Sequence, residues 1–239
     1  MKFYLTLLLT FLVEAQIFET DKQVVQRVCK GNPSVITVDN RLRPTWEKRV
    51  SPFSKKQNVD ECRKQATTKV FTTLTLTPSS AAGSPSALIV NTKKETSVFK
   101  VKDYFVEESN FYDGVSLDIT QLDKEDVGRL AESIPTEKTI ALVYDLERWE
   151  SITEEVKKIK ARIDHVVLRV DKSNYVEGMI LKVVESYPST IFSVMGIDKD
   201  RFEKLQAEIY TKYPSKELLY SGVVAKEKLF SYFKTDASI

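Results

Sequence analysis

Short apolar segments separated by stretches with helical periodicity dominate this sequence. Eight of these segments are rich in valine, isoleucine and leucine, and several are nearly continuous rather than alternating. Continuous apolar runs of this length are typical of parallel strands that are buried on both faces. The predicted strands cover residues 34–39, 70–77, 87–91, 114–119, 139–145, 165–171, 190–196 and 217–224.

Helices are predicted between most of these strands. Residues 149–163 carry apolar side chains at spacings of three and four, which places those side chains on one helical face. Further helices are predicted over residues 98–107 and, at the end of the chain, over 226–233. Repeated β–α units predict a parallel sheet, and eight of them predict closure into a (β/α)8 barrel of the TIM type.

One connection departs from the repeating pattern. Residues 78–86 read PSSAAGSPS, which is too short and too rich in Gly, Pro and Ser for a helix. The barrel is therefore expected to be irregular between its second and third strands. An open, doubly wound parallel sheet with a helical N-terminal extension is the alternative fold. Pairing between the first and the last strand distinguishes the barrel from the open sheet.

The first fifteen residues have the pattern of a secretory signal peptide. One cation, Lys2, precedes an apolar run at 3–13, and a small residue, Ala15, follows it. The run is too short for a permanent transmembrane helix. The sequence therefore predicts a signal peptide at 1–15, a single mature domain at 16–239, a secreted product and no membrane attachment after cleavage.

The cysteine count and the charge balance narrow the class of protein further. The chain has two cysteines, Cys29 and Cys62. In an oxidising compartment two cysteines most simply pair, so a disulfide is predicted, with two free buried thiols as the alternative. The net charge is +2 and both signs are spread along the chain, which favours a soluble surface and argues against nucleic-acid binding.

Several common catalytic and cofactor motifs are missing from the sequence. The only histidine, His165, opens a predicted strand and is expected at the amino-terminal face of the barrel, away from the usual site of chemistry. The chain has no Gly-X-Ser-X-Gly elbow, no Walker A motif and no Gly-X-Gly-X-X-Gly motif. It also has too few soft ligands for a zinc site. No metal and no cofactor are expected, so the function is expected to be either catalysis by carboxylate side chains or ligand binding.

Residues 111–120, FYDGVSLDIT, carry the most informative pattern. An Asp-Gly pair leads into a strand whose alternate residues are Ser116, Asp118 and Thr120, and a period of two places these three on one face. This stretch resembles the fourth strand of family-18 chitinases and chitinase-like lectins, which follows the pattern Asp-Gly-X-Asp-X-Asp-X-Glu. In that family the final Glu protonates the glycosidic oxygen. The aspartates before it tune that acid and position the substrate's acetamido group.

The resemblance implies that this chain has lost the catalytic acid. Asp113 and Gly114 match the first two positions, and Asp118 matches the second inner aspartate. Ser116 replaces the first inner aspartate and Thr120 replaces the glutamate. A threonine hydroxyl is a far weaker proton donor than a carboxylic acid with a raised pKa. The resemblance therefore implies a non-catalytic barrel that binds a carbohydrate, chitin-like or another glycan, or an extracellular protein.

Predicted strand ends and one basic loop supply further candidate binding residues, because the loops after barrel strands form the functional rim. Loop 41–64 holds eight cations, three acids and a tryptophan, which suits an anionic or sugar ligand. Two alternatives stay open: an active secreted glycosidase that uses Asp118 with Asp145 or Asp171, and a structural or interaction domain without a pocket. The candidate ligand-binding residues are Asp118, Asp145, Asp171, Trp46, Arg41 and Arg43.

Overall fold

A computed structural model describes residues 19–39, 51–77, 88–90, 98–99, 111–170, 177–187, 190–225 and 230–234. The strands in these ranges are β1 (Val35–Asp39), β2 (Lys69–Thr77), β3 (Leu88–Val90), β4 (Val98–Phe99), β5 (Gly114–Asp118), β6 (Thr139–Asp145), β7 (Arg162–Arg169), β8 (Ile191–Met195), β9 (Leu218–Ala225) and β10 (Phe230–Lys234). The α-helices are α1 (Asp21–Lys30), α2 (Lys56–Arg63), α3 (Lys124–Ser133), α4 (Trp149–Val156), α5 (Glu177–Ser186) and α6 (Lys199–Lys212). Two short 3₁₀ helices cover Pro52–Ser54 and Leu146–Arg148.

Eight of the strands close into a barrel. Around its wall the order is β1, β2, β5, β6, β7, β8, β9 and β10, and β10 pairs back with β1. Neighbours from β1 to β9 are parallel, whereas β10 is antiparallel to both β9 and β1. The predicted closure is confirmed and the open-sheet alternative is wrong. The prediction that every strand is parallel is also wrong, because of β10.

The last barrel strand replaces a predicted helix. Residues 226–233 were expected to be helical, but Phe230–Lys234 forms β10. Tyr232 packs in the cluster beneath α1 and α2, while Phe233 packs inside the barrel. Consecutive aromatic side chains that are buried on opposite faces fit a strand and do not fit a one-sided helix.

The third predicted strand lies outside the barrel wall. β3 pairs antiparallel with the end of β2, and β4 pairs antiparallel with β3. Residues 98–99 are therefore extended, rather than the start of the helix predicted at 98–107. The connection at 78–86 lies outside the described residues. β5 consequently follows β2 around the barrel.

The barrel wall separates two apolar layers. On its outer face, side chains such as Leu117, Leu142 and Leu168 pack with the buried faces of α3 to α6. On its inner face, Phe71, Val143, Val167 and Phe233 form a smaller cluster with their neighbours. Because side chains alternate along a strand, membership of these two clusters shows which residues of each strand face the interior.

A third cluster joins the first two helices to the barrel. Val24 and Val28 of α1 and Val59 of α2 pack there against β1 and β2. Cys29 and Cys62 form a disulfide within it, with their Cα atoms 4.5 Å apart. The predicted cysteine pairing is therefore confirmed.

Two ion pairs lie at the amino-terminal end of the barrel and share the carboxylate of Asp164. Asp164 sits at an irregularity in the pairing of β7 with β6 and is 8% exposed. The Lys69 Nζ atom and the Arg162 Nε atom each lie 2.8 Å from one of its carboxylate oxygens. Lys69 begins β2, which is three strands away from β7, so this pair crosses the barrel interior rather than its wall.

Gly196, directly after β8, should be intolerant of a side chain. Its φ is +96°, and an added Cβ would lie 2.1 Å from the carbonyl oxygen of Val170. We expect Gly196→Ala to lower the free energy of unfolding by about 3 kcal/mol, since strain and backbone overlap act together. Gly178→Ala is the control, because nothing lies within 4 Å of its added Cβ and helical positions favour Ala. Equal midpoints for the two variants in urea unfolding would refute the prediction.

Candidate functional site

Charged side chains lie where three neighbouring strands end. Asp118, Asp145 and Arg169 are the last residues of β5, β6 and β7, and these strands are parallel, so all three lie at the carboxyl rim of the barrel. Asp118 pairs with Val143, and Asp145 pairs with Arg169. Val143 faces the interior, so alternation along the strands places the three charged residues on the inner side of the wall. We refer to them, together with Thr120 and Arg148, as the rim cluster.

Both carboxylate oxygens of Asp118 accept hydrogen bonds from neighbouring residues, and Asp118 is 6% exposed. Arg169 donates from Nη2 to Oδ2 over 3.0 Å and forms an ion pair. Thr120 donates to Oδ1 twice, from its hydroxyl over 2.7 Å and from its backbone N–H over 3.2 Å. The ion pair reaches from β7 to β5, past β6, and therefore depends on the curvature of the closed wall.

A second guanidinium group fixes the loop that follows β5. Arg148 donates from Nη1 to the carbonyl oxygen of Thr120 over 2.5 Å, and from Nη2 to the carbonyl oxygen of Leu122. Arg169 also reaches this residue, since its Nη1 atom donates to the Thr120 hydroxyl oxygen over 3.4 Å. Thr120 thus contacts both arginines as well as Asp118.

Asp145 differs from Asp118 in its surroundings. Its side chain is half-buried, and among the described residues no hydrogen bond or ion pair occupies its carboxyl group. Burial raises the pKa of Asp145; Arg169 opposes that shift, Asp118 adds to it and Arg148 opposes it. The rim cluster therefore combines one paired aspartate with one open carboxyl group that has a raised pKa.

The other residues predicted for the site fall in different places. Ser116 is buried on the inward row below Asp118. Asp113 lies at the opposite end of β5, where it accepts hydrogen bonds from Arg63 and from the backbone N–H of Val70, both over 2.6 Å. It joins α2, β2 and β5 there. The remaining four candidates lie outside the described residues: Arg41, Arg43, Trp46 and Asp171.

His165 does not lie at the amino-terminal face, and that prediction is wrong. β7 begins three residues earlier, at Arg162, which moves His165 into the strand. Its ring is buried, and its Nε2 atom lies 2.6 Å from Ser193 Oγ. Burial lowers the pKa of His165 to about 3, and the Lys69 cation adds to this while Asp164 opposes it. The ring is therefore neutral near pH 7.

Sequence reasoning missed the two arginines of the rim cluster. It extended the strand of Arg169 to residue 171, although β7 ends at Arg169 itself. The alternation of side chains along a strand was a signal for Arg169, because it lies two residues after Val167, which faces the interior, and the two side chains therefore share one face. Arg148 gave no comparable signal, because its partners are backbone carbonyl groups of another loop.

The described part of the chain holds no group of three or more His, Cys, Asp or Glu side chains arranged for a metal ion. Within the same residues, no helix combines the length and the apolar character needed to cross a membrane. In comparisons with protein-family models, with curated proteins and with solved structures, this chain has no significant match.

Proposed function

We propose that this protein is a secreted barrel that binds a carbohydrate at the rim cluster and does not cleave it. The main observation behind the proposal is the hydrogen bonding of the Thr120 hydroxyl group. Its hydroxyl proton is donated to Asp118, and its oxygen accepts from Arg169, at the position where the chitinase pattern has its acid. A hydroxyl group engaged in this way supplies no proton to a glycosidic oxygen.

The rim cluster offers the polar groups that a sugar needs. Carboxylate oxygens accept hydrogen bonds from sugar hydroxyl groups, and guanidinium N–H groups donate to sugar oxygens. The carboxyl group of Asp145 is open, and the side chain of Arg169 is 44% exposed. These two groups are therefore the expected points of contact with a ligand, while Asp118 orients Arg169.

A family-18-like, TIM-type architecture belongs to the same proposal. It is supported by the parallel arrangement of seven of the eight barrel strands and by helices α3 to α6, which alternate with the strands from β5 to β9. The antiparallel β10 is a departure from that architecture. Secretion is supported by the leader pattern at 1–15 and by the disulfide between Cys29 and Cys62.

Calorimetric titration with N-acetylated chitooligosaccharides tests the proposal. We expect the wild type to bind, and Asp145→Asn and Arg169→Gln each to weaken the affinity about tenfold, the loss expected for one polar contact. Asp60→Asn is the matched control, since the Asp60 side chain is 41% exposed on α2 and forms an ion pair with Lys56 of the same helix. Absence of binding to the wild type, or equal affinities for all four proteins, would overturn the proposal.

An active glycosidase is the second candidate function, and the surroundings of Asp145 favour it. Glycoside hydrolysis uses two carboxyl groups, one of which has a raised pKa and serves as the general acid. Burial raises the pKa of Asp145, and Asp118 is the neighbouring carboxyl group of the rim cluster. Hydrolysis of a fluorogenic chitooligosaccharide by the wild type, lost in Asp145→Asn and falling as pH rises through the pKa of Asp145, would replace the first proposal with this one.

A further inference from the structure

Below the rim cluster, the barrel interior contains polar side chains with no exposure to solvent. Ser116, His165 and Ser193 all have an exposed fraction of 0%. The interior around the His165 ring is mostly apolar, and two aromatic rings lie near it, with centroids 6.2 Å away for Phe71 and 5.3 Å away for Phe233. A polar group in such a place needs a specific hydrogen-bond partner.

Two polar atoms in this interior lack a partner among the described residues. They are Ser116 Oγ and His165 Nδ1. The opposite ring nitrogen of His165 is already 2.6 Å from Ser193 Oγ. Buried polar atoms in proteins nearly always have at least one partner, and where no protein group reaches them the partner is an ordered water.

The strand register brings these two atoms to the same level of the barrel. Ser116 pairs with Ala141, and Ala141 pairs with His165. The two Cα atoms are thus two strand spacings apart, which is about 9–10 Å. The residue between them contributes only a methyl group. The His165 ring centroid lies 6.2 Å from that of Phe71 on β2, the strand next to β5, so the ring extends into the same interior that Ser116 faces.

The chemistry of the two atoms selects the ligand. A neutral imidazole has one N–H donor and one acceptor nitrogen, and a serine hydroxyl both donates and accepts. Water also does both, so it satisfies Nδ1 in either tautomer of the ring. We propose that one water molecule is bound inside the barrel, bridging Ser116 Oγ and His165 Nδ1, on the inward row one step below Asp118.

A high-resolution crystal structure of the wild-type protein tests this site directly. We expect density for one water within hydrogen-bond distance of both atoms, at full occupancy and with a B-factor similar to that of the surrounding side chains. A direct contact between Ser116 and His165, or an interior without this density, would overturn the proposal. The result does not depend on whether the rim binds a carbohydrate.

Thermal unfolding of Ser116→Ala provides a second test, because the change in Tm has one sign if the water is bound and the opposite sign if it is not. If water bridges the two atoms, the variant loses one hydrogen bond, and Tm should fall by about 2–4 °C. The ¹⁵N resonance of His165 Nδ1 should also shift. If Ser116 Oγ has no partner, its removal should raise Tm, which would refute the proposal. Ser186→Ala, whose hydroxyl is exposed and bonds to its own helix, is the control and should shift Tm by less than about 1 °C.

Discussion

The double substitution Cys29→Ala/Cys62→Ala should lower the free energy of unfolding by about 4 kcal/mol. The disulfide joins residues 33 positions apart, so its removal frees a long loop in the unfolded chain. For a domain of this size, the loss corresponds to a decrease in Tm of about 8–16 °C. Circular dichroism melting under non-reducing conditions measures it.

The reduced wild type is the control for this substitution. Both sulfur atoms are buried in the cluster between α1, α2 and the barrel, so alanine also removes some packing. Reduction opens the crosslink and keeps the sulfur atoms, so the difference between the reduced wild type and the double variant isolates the packing contribution. A double variant that melts together with the oxidised wild type would show that the crosslink contributes nothing to stability.

Acid should destabilise the protein through His165. The unfolded side chain has a pKa near 6.5, while burial lowers the pKa in the folded state to about 3. Between these values the unfolded chain binds the proton and the folded chain does not, so stability falls as pH decreases through this range. From neutral pH to pH 4, the expected loss from this one group is about 3 kcal/mol.

His165→Gln separates this contribution from that of the carboxylates. The substitution removes the titrating ring and keeps a polar group opposite Ser193. Asp164 and Lys69, the charged groups that act on His165, stay in place. We expect urea unfolding between pH 6 and pH 4 to show a shallower pH dependence in the variant, by up to about 1.4 kcal/mol per pH unit. Parallel pH profiles for both proteins would contradict a neutral buried histidine.

The sequence pattern was informative about the fold wherever a segment has one dominant period. The apolar runs that form β5 to β9, such as Thr139–Asp145, are barrel strands as predicted, and helices α3 to α6 lie between them. The helix predicted at 226–233 was wrong because the segment is too short for its apolar pattern to distinguish a helix from a strand. Its state is decided by tertiary contacts, since Tyr232 and Phe233 are buried in two different clusters.

The candidate site was predictable only in part. Asp118 and Asp145 were predicted because the end of a strand can be recognised from the residues next to it, and the carboxyl ends of barrel strands form the rim of the site. The ion pair between Asp118 and Arg169 was not, because it spans β6 and depends on closure and register. Arg148 was also missed, since its partners are backbone carbonyl groups in the loop after β5, and no side-chain pattern reports such contacts.

An NMR titration of the ¹⁵N-labelled protein with an N-acetylated chitotetraose reports sugar binding and sugar cleavage in one sample. If the rim cluster binds the sugar without cleaving it, the backbone signals of Asp118, Thr120, Asp145, Arg148 and Arg169 shift with added sugar, and the anomeric signals show an intact tetrasaccharide at the end. Shifts confined to residues away from the rim, no shifts at saturating sugar, or the appearance of new reducing ends would contradict it.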